Sequence, residues 1–275
     1  MCKRIILTIS LCFVSTFSYS SGLLSEWKAN KSSEYLAYNN NDLIQFEKIF
    51  REVLSGNLNN KLISNLKKLN FQLLEKKDYF ILSELAPRMH GAGIYIINKS
   101  SENNVLIQAP HAYYDRNTVN IAIKIVQEND IKALSINTVH RNLADMAHIK
   151  DTVFVAFSRV FSNVFFKNKI IQLHGFNESK RLETYSVDFI LSNGTASHYQ
   201  NLTRQSECLS RKLRSLVKVY PLNISVLGGT TNSTGRMLRS NGVSGFEHIE
   251  IGSKMRQSLK RSSTKRNLFS QCILR

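Results

Sequence analysis

Between residues 79 and 251 the chain alternates short apolar runs with segments whose apolar residues recur every three or four positions. The first kind suits buried strands and the second suits helices packed on one face. Strands are predicted at Tyr79–Leu82, Gly93–Ile97, Val105–Ala109, Ala133–Ile136, Ile170–Leu173, Val187–Leu191, Val226–Leu227 and Phe246–Ile251. Helices are predicted at Thr118–Gln127, at Ser206–Val217, and from a cap at Asp151 through Val153, Phe157, Val160, Phe161 and Val164. Ahead of them, Asn41 and Asp42 can cap a helix carrying Leu43, Phe46, Phe50 and Val53 or Leu54, closed by Gly56. A second helix follows with Leu62, Leu66, Leu69 and Leu73 on one side. Residues 21–40 are polar and are expected to be poorly ordered. The pattern predicts an α/β three-layer sandwich with a largely parallel or mixed central sheet, preceded by an N-terminal helical segment.

The amino terminus changes the picture of where such a domain works. Lys3 and Arg4 precede a mostly apolar run, Ile5 to Phe17, and Ser18-Tyr19-Ser20 has the small-x-small form of a cleavage site. The expected division is a signal peptide over 1–20, a helical prelude over 21–78 and an α/β domain over 79–275, in a periplasmic or secreted protein. The apolar run is short for a membrane span, and no integral membrane segment is expected after signal removal. Cleavage takes Cys2 and Cys12, leaving Cys208 and Cys272, an even count in an exported chain and so a candidate disulfide. The formal charge of +17 and pI near 9.8 favour anionic neighbours such as a cell-envelope polymer. The basic residues are scattered apart from a tail between Lys254 and Arg266, and no nucleic-acid reading motif occurs, so no nucleic-acid partner is expected.

Chemistry concentrates where predicted strands end. Val105–Ala109 is stopped by Pro110 and followed by His111 and Asp115; Ile170–Leu173 is followed by His174 and Gly175. Two strand-end histidines and a nearby carboxylate make a candidate metal site. Asp115 equally has the position of a cap for the helix near Thr118. Arg141 and Asp145 lie one helical turn apart, as an anion-binding fork or as an exposed ion pair. His140 and His148 suit surface, donor or ligand roles, and Arg236 and Arg239 suit anion binding or a solvated loop. By the period of two, Phe246, His248 and Glu250 share one face of the last strand. A carboxylate there needs a partner, for which Arg256 is in reach, or a chemical task.

Five blocks, taken in order, resemble one family. They are Ala109-Pro110-His111-x-x-x-Asp115, Asn137-Thr138-Val139-His140-Arg141, Asp145-Met146-Ala147-His148, Leu173-His174-Gly175 and Phe246-Glu247-His248-Ile249-Glu250. Over roughly residues 90–256 the chain resembles the N-formylglutamate amidohydrolase branch of the zinc carboxypeptidase-like superfamily. The resemblance implies Zn2+ on His111, Asp115 and His174, with Glu250 as general base. It also implies Arg141 and Asp145 at the substrate, where His148 and Arg239 are added as candidates from the residues themselves. Zinc carboxypeptidases place the carboxylate three positions after the first histidine, and this chain places it four after. The implied activity is hydrolysis of an amide bond in an N-acyl amino acid, small peptide or envelope peptide. The alternative is a non-catalytic basic envelope protein that binds an anionic polymer. No Gly-x-Ser-x-Gly elbow of a serine hydrolase occurs.

Overall fold

In the computed structural model, which describes residues 20–197 and 200–274, nine strands form one mixed sheet between two helical layers. The strands are β1 (Phe71–Glu75), β2 (Tyr79–Glu84), β3 (Ile94–Asn98), β4 (Val105–Ala109), β5 (Ala133–Ile136), β6 (Lys169–Phe176), β7 (Phe189–Ser192), β8 (Val217–Val219) and β9 (Phe246–Gly252). They lie side by side in the order β1-β2-β3-β5-β4-β6-β9-β7-β8. The central run β5-β4-β6-β9 is parallel; β1, β2 and β3 join it antiparallel on one side, and β7 joins β9 antiparallel on the other. Central strands buried on both faces explain the continuous apolar runs of the sequence.

Among the described residues, nine α-helices cover the faces of the sheet: α1 (Ser20–Ala29), α2 (Asn40–Leu54), α3 (Asn60–Lys68), α4 (Thr118–Glu128), α5 (Val153–Val164), α6 (Gln200–Leu213), α7 (Ser233–Ser240), α8 (Ser253–Arg261) and α9 (Ser263–Ile273). Alternation sorts the core into two layers. Val105, Ile107, Ile171, Leu173, Ile249 and Ile251 face α1, α4, α6, α8 and α9. Leu106, Ile170 and Phe246 face α2, α3, α5 and α7, where Phe50, Tyr95 and Phe157 pack ring against ring. Cys208 of α6 and Cys272 of α9 form a disulfide across 64 residues. Among the described residues, no helix is long and apolar enough to cross a membrane.

The structure corrects several expectations. Residues 20–29 form a helix, because Leu23 and Trp27 have apolar partners elsewhere in the chain: Trp27 stacks on Tyr113 at 4.7 Å and its Nε1 donates to the Asn137 carbonyl. The second prelude helix stops at Lys68. Asn70 takes a positive φ, and Leu73 belongs to β1, whose pairing with β2 a local pattern could not reveal. Thr152, not Asp151, caps α5, its side chain accepting from the Val155 N–H. Val226–Leu227 is not a strand; Leu227 has φ of +60°, and Val217–Val219 supplies the edge pairing with β7 instead. The glycine-rich stretch around Arg236 and Arg239 is the helix α7, capped by Asn232. Of the expected leader over 1–20, residues 1–19 lie outside the described residues.

Candidate metal centre

The parallel strands deliver their C-terminal ends to one place. β4 ends at Ala109, and the chain turns at once: the N–H groups of Tyr114 and Asp115 both donate to the His111 carbonyl at 2.9 Å. That single helical turn brings a carboxylate four positions on back over the histidine that precedes it. The Asp115 carboxylate does not cap α4; its Oδ2 accepts the Gly175 N–H at 3.0 Å and lies 3.3 Å from His111 Nδ1. The residue before α4, Asn117, makes no side-chain cap.

On the neighbouring strand, β6 runs two residues past His174, so that histidine stands within the strand and not at its end. Its Nδ1 lies 3.2 Å from His111 Nδ1 and 3.7 Å from Asp115 Oδ2. Gly175 follows because a Cβ there would sit 2.4 Å from Arg256 Nη1. That guanidinium is spent on the carbonyls of Arg116, Phe176 and Ile251, and so it forms no ion pair with Glu250.

The three atoms His111 Nδ1, Asp115 Oδ2 and His174 Nδ1 thus form a triangle of edges 3.2, 3.3 and 3.7 Å, with each residue 3% exposed. Ligands about 2.0–2.2 Å from a tetrahedral zinc stand about 3.3–3.6 Å from one another. Two nitrogen lone pairs and a carboxylate oxygen facing each other at this spacing repel unless a proton or a cation lies between them. The donor set and its spacing fit a zinc ion.

What surrounds the triangle orients it. The far nitrogen of His111, Nε2, meets Asp145 Oδ1 at 2.8 Å, and that of His174 meets Gln172 Oε1 at 3.1 Å. A histidine that donates its outer N–H to an acceptor presents its other nitrogen to a metal. Asp145 is itself held by Arg141 Nε at 3.0 Å and by His148 Nδ1 at 3.0 Å, while Arg141 lies over the Tyr114 ring. A second grouping, His111 with Asp145 and His148, involves a histidine whose side chain is 42% exposed, and its spacings are those of ordinary hydrogen bonds. We therefore assign Asp145 to supporting His111.

Charge follows the same plan. Burial opposes a proton on His111, but hydrogen bonds to Asp115 and Asp145 outweigh it and raise the pKa of the metal-free ring. For Asp145 the desolvation of burial acts upward, and His111 and His148 overcome it, holding the carboxylate well below its ordinary range. His174 is driven well below the ordinary histidine value by burial and then by the electrostatics of His248, His111 and Arg141 around it, so it stands neutral with a lone pair to offer.

Glu250 reaches the same spot by register. In the β6–β9 ladder His174 pairs with Glu250, and on that face the His248 ring lies against that of His174, centroids 4.2 Å apart and planes tilted by 33°. Glu250 Oε1 takes His248 Nε2 at 3.3 Å, while Glu250 Oε2 and His248 Nδ1 are buried without a partner. An unpartnered carboxylate oxygen beside a cluster of metal-ligand type is a site for chemistry. Glu247, on the opposite face, is absorbed by Lys169 and Gln205.

Of the sequence candidates, the fold brings His111, Asp115, His174, Arg141, Asp145, His148 and Glu250 into one connected cluster. Arg239 instead donates to the Asn193 carbonyl at 3.4 Å. Gln108, Gln172 and Asn232 are buried contributors that sequence reasoning missed. Gln108 and Gln172 could have been noticed as amides in strands otherwise apolar. A cavity of about 380 Å3 lies against the cluster, lined by His148, Lys150, Thr231, Arg236 and Met237. Another of about 600 Å3, lined by Asn104, Phe165, Gly245 and Glu247, opens at the opposite ends of the strands and serves no part of the cluster.

No protein-family model matches the chain, and no curated protein matches it. Among solved structures, it is similar to zinc-free YNDL at 14% identity and a TM-score of 0.40, covering 65% of this chain and 86% of that one. A bacteriophage poly-gamma-glutamate hydrolase matches at 11% identity and a TM-score of 0.40, covering 68% and 89%. The succinylglutamate desuccinylase from Chromobacterium violaceum matches at 9% identity and a TM-score of 0.43, covering 81% and 73%. At such identities and TM-scores the likenesses bear on neither the site residues nor the substrate.

Proposed function

We propose that this protein is an exported zinc-dependent hydrolase that cleaves an amide bond in a small acylated amino acid or peptide. The observation that carries the reading is the buried triangle of His111 Nδ1, Asp115 Oδ2 and His174 Nδ1, with edges of 3.2–3.7 Å and an unpartnered Glu250 oxygen alongside. Zinc held by these three residues would supply Lewis acidity to a carbonyl oxygen and make a water more acidic. Glu250 is the general base: its free Oε2 takes a proton from the attacking water and passes it to the leaving nitrogen. His248, bonded to Oε1, keeps the carboxylate turned so that Oε2 is available. Arg141, braced through Nε by Asp145, offers its remaining N–H groups to a substrate carboxylate. The cavity beside His148 takes the rest of the substrate, and its Lys150 and Arg236 favour an anionic one.

Export rests on the leader sequence and agrees with the disulfide, which persists in an oxidising compartment. The test is metal content of the purified mature protein together with turnover of a panel of N-acyl amino acids, for the wild type and for His111→Ala. One zinc per chain and turnover, both lost in the variant, are expected. Metal-free wild type after equilibration with zinc removes the reading.

A further inference from the structure

A row of buried polar side chains crosses the sheet behind the metal centre. Ser135 on β5, Gln108 on β4 and Gln172 on β6 occupy one register row on the α5 and α7 face, each with no exposed surface. Gln108 Nε2 donates to Ser135 Oγ at 2.8 Å and to Ser158 Oγ of α5 at 2.9 Å. Gln172 Nε2 donates to Gln108 Oε1 at 2.9 Å. Gln172 Oε1 then accepts from Asn232 Nδ2 at 2.7 Å and meets His174 Nε2 at 3.1 Å.

An amide can in principle be turned either way, so the direction of such a row has to be fixed from outside it. Two backbone anchors do so independently. At one end, Ser158 gives its single hydroxyl proton to the Phe154 carbonyl at 3.0 Å and can only accept from Gln108. Gln108 must therefore present its NH2 to Ser158 and its oxygen to Gln172, so Gln172 turns its NH2 to Gln108 and its oxygen to His174. At the other end, Asn232 Oδ1 is committed to capping α7 through the Gly235 N–H at 3.0 Å. Asn232 must then present its NH2 to Gln172, which again sets the Gln172 oxygen towards His174. An oxygen with no proton requires a donor from the ring.

We infer that Gln172 is a positioning residue that fixes His174 with its proton on Nε2, leaving the Nδ1 lone pair directed at His111 and Asp115. The cap of α7 and the Ser158 hydroxyl, both remote from the triangle, set the tautomer of a ligand histidine. Three neutral amides and a serine do for His174 what the Asp145 carboxylate does for His111. The inference rests on the metal-centre reading for its consequence, though not for the tautomer itself.

The experiment has two arms. Nitrogen-15 NMR of the metal-free wild type reads the His174 tautomer directly, and the Nε2–H form is expected. Zinc affinity is measured by chelator competition for the wild type, Gln172→Met and Gln172→Glu, with circular dichroism confirming the fold. Gln172→Met removes the acceptor and should weaken zinc by about 10–100-fold, the usual effect of losing such a support. Gln172→Glu keeps an acceptor for the ring but turns its other oxygen against Gln108 Oε1, and should lose less zinc affinity than Gln172→Met. An Nδ1–H ring in the metal-free protein overturns the inference, as does unchanged affinity in Gln172→Met. Equal losses in both variants reduce Gln172 to a packing role. A wild type with the Nε2–H ring that takes up no zinc refutes the metal centre and leaves the tautomer assignment standing. If Gln172→Met does not fold, the NMR arm still decides.

Discussion

Replacing Glu250 with Gln keeps the shape of the side chain and removes its ability to accept a proton, so activity and stability should move in opposite directions. Glu250 is 7% exposed, with one hydrogen bond at 3.3 Å on Oε1 and none on Oε2. A carboxylate in water fills about four lone-pair sites, so most of its hydration is lost here without replacement. An amide forgoes the buried charge and keeps an oxygen for His248, which should stabilise the metal-free protein by about 1 kcal/mol, the scale of a buried polar group's penalty. For a chain of this size that raises Tm by about 2–4 °C. Loss of a positioned base should cost about 10²–10⁴ in kcat, or about 3–5 kcal/mol of barrier. The assay is kcat on an identified N-acyl substrate, with zinc content and a thermal melt on the same preparation. Full zinc and a Tm that holds or rises, with kcat down by that factor, is the expected pattern. A variant that turns over at the wild-type rate while melting several degrees lower would show that Glu250 only supports the fold.

Other perturbations follow from the same geometry. His174→Ala should abolish stoichiometric zinc, read by elemental analysis; retained zinc would remove His174 from the ligand set. Asp145→Ala frees the His111 Nε2–H and should weaken zinc about 10–100-fold, as chelator competition would show. Opening the Cys208–Cys272 bridge with a double Cys→Ser change releases a 64-residue loop and should cost about 4 kcal/mol in chemical denaturation, an upper figure from chain entropy. Trp27→Ala removes a ring that stacks on Tyr113 and bonds the Asn137 carbonyl, and should cost about 3–5 kcal/mol. No loss in that variant would mean that α1 does not pack as described.

Much of the core was legible in the order of residues. Val105–Ala109 and Ala133–Ile136 are strands with the bounds the pattern predicts, because a strand buried on both faces is mostly apolar, with Gln108 and Ser135 the exceptions, and Pro or polar residues mark its ends. The helix from Thr118 and the one from Val153 were equally plain, since each carries buried apolar residues at three- and four-residue spacing. The elements that escaped were those whose reasons lie elsewhere in the chain. α1 is held by Tyr113 and Asn137, β1 by β2, and β8 by β7. α7 is mostly polar and begins at an asparagine that also faces β6.

The site divides in the same way. The order of residues was enough to set His111 and Asp115 four positions apart just past a strand, and to put Phe246, His248 and Glu250 on one face. Those are consequences of local geometry over a few residues. That β6 lies between β4 and β9, which closes the triangle with His174 and sets Glu250 beside it, came from the folded sheet alone. Tertiary packing likewise turned Asp145 towards His111, left the Glu250 oxygen without a partner and aligned Gln108, Gln172 and Asn232 behind His174. The reason is that strand order and register are set by the summed packing of whole faces against two helical layers. A one-residue slip in any pair would turn these side chains to the other face, and no short motif records that choice.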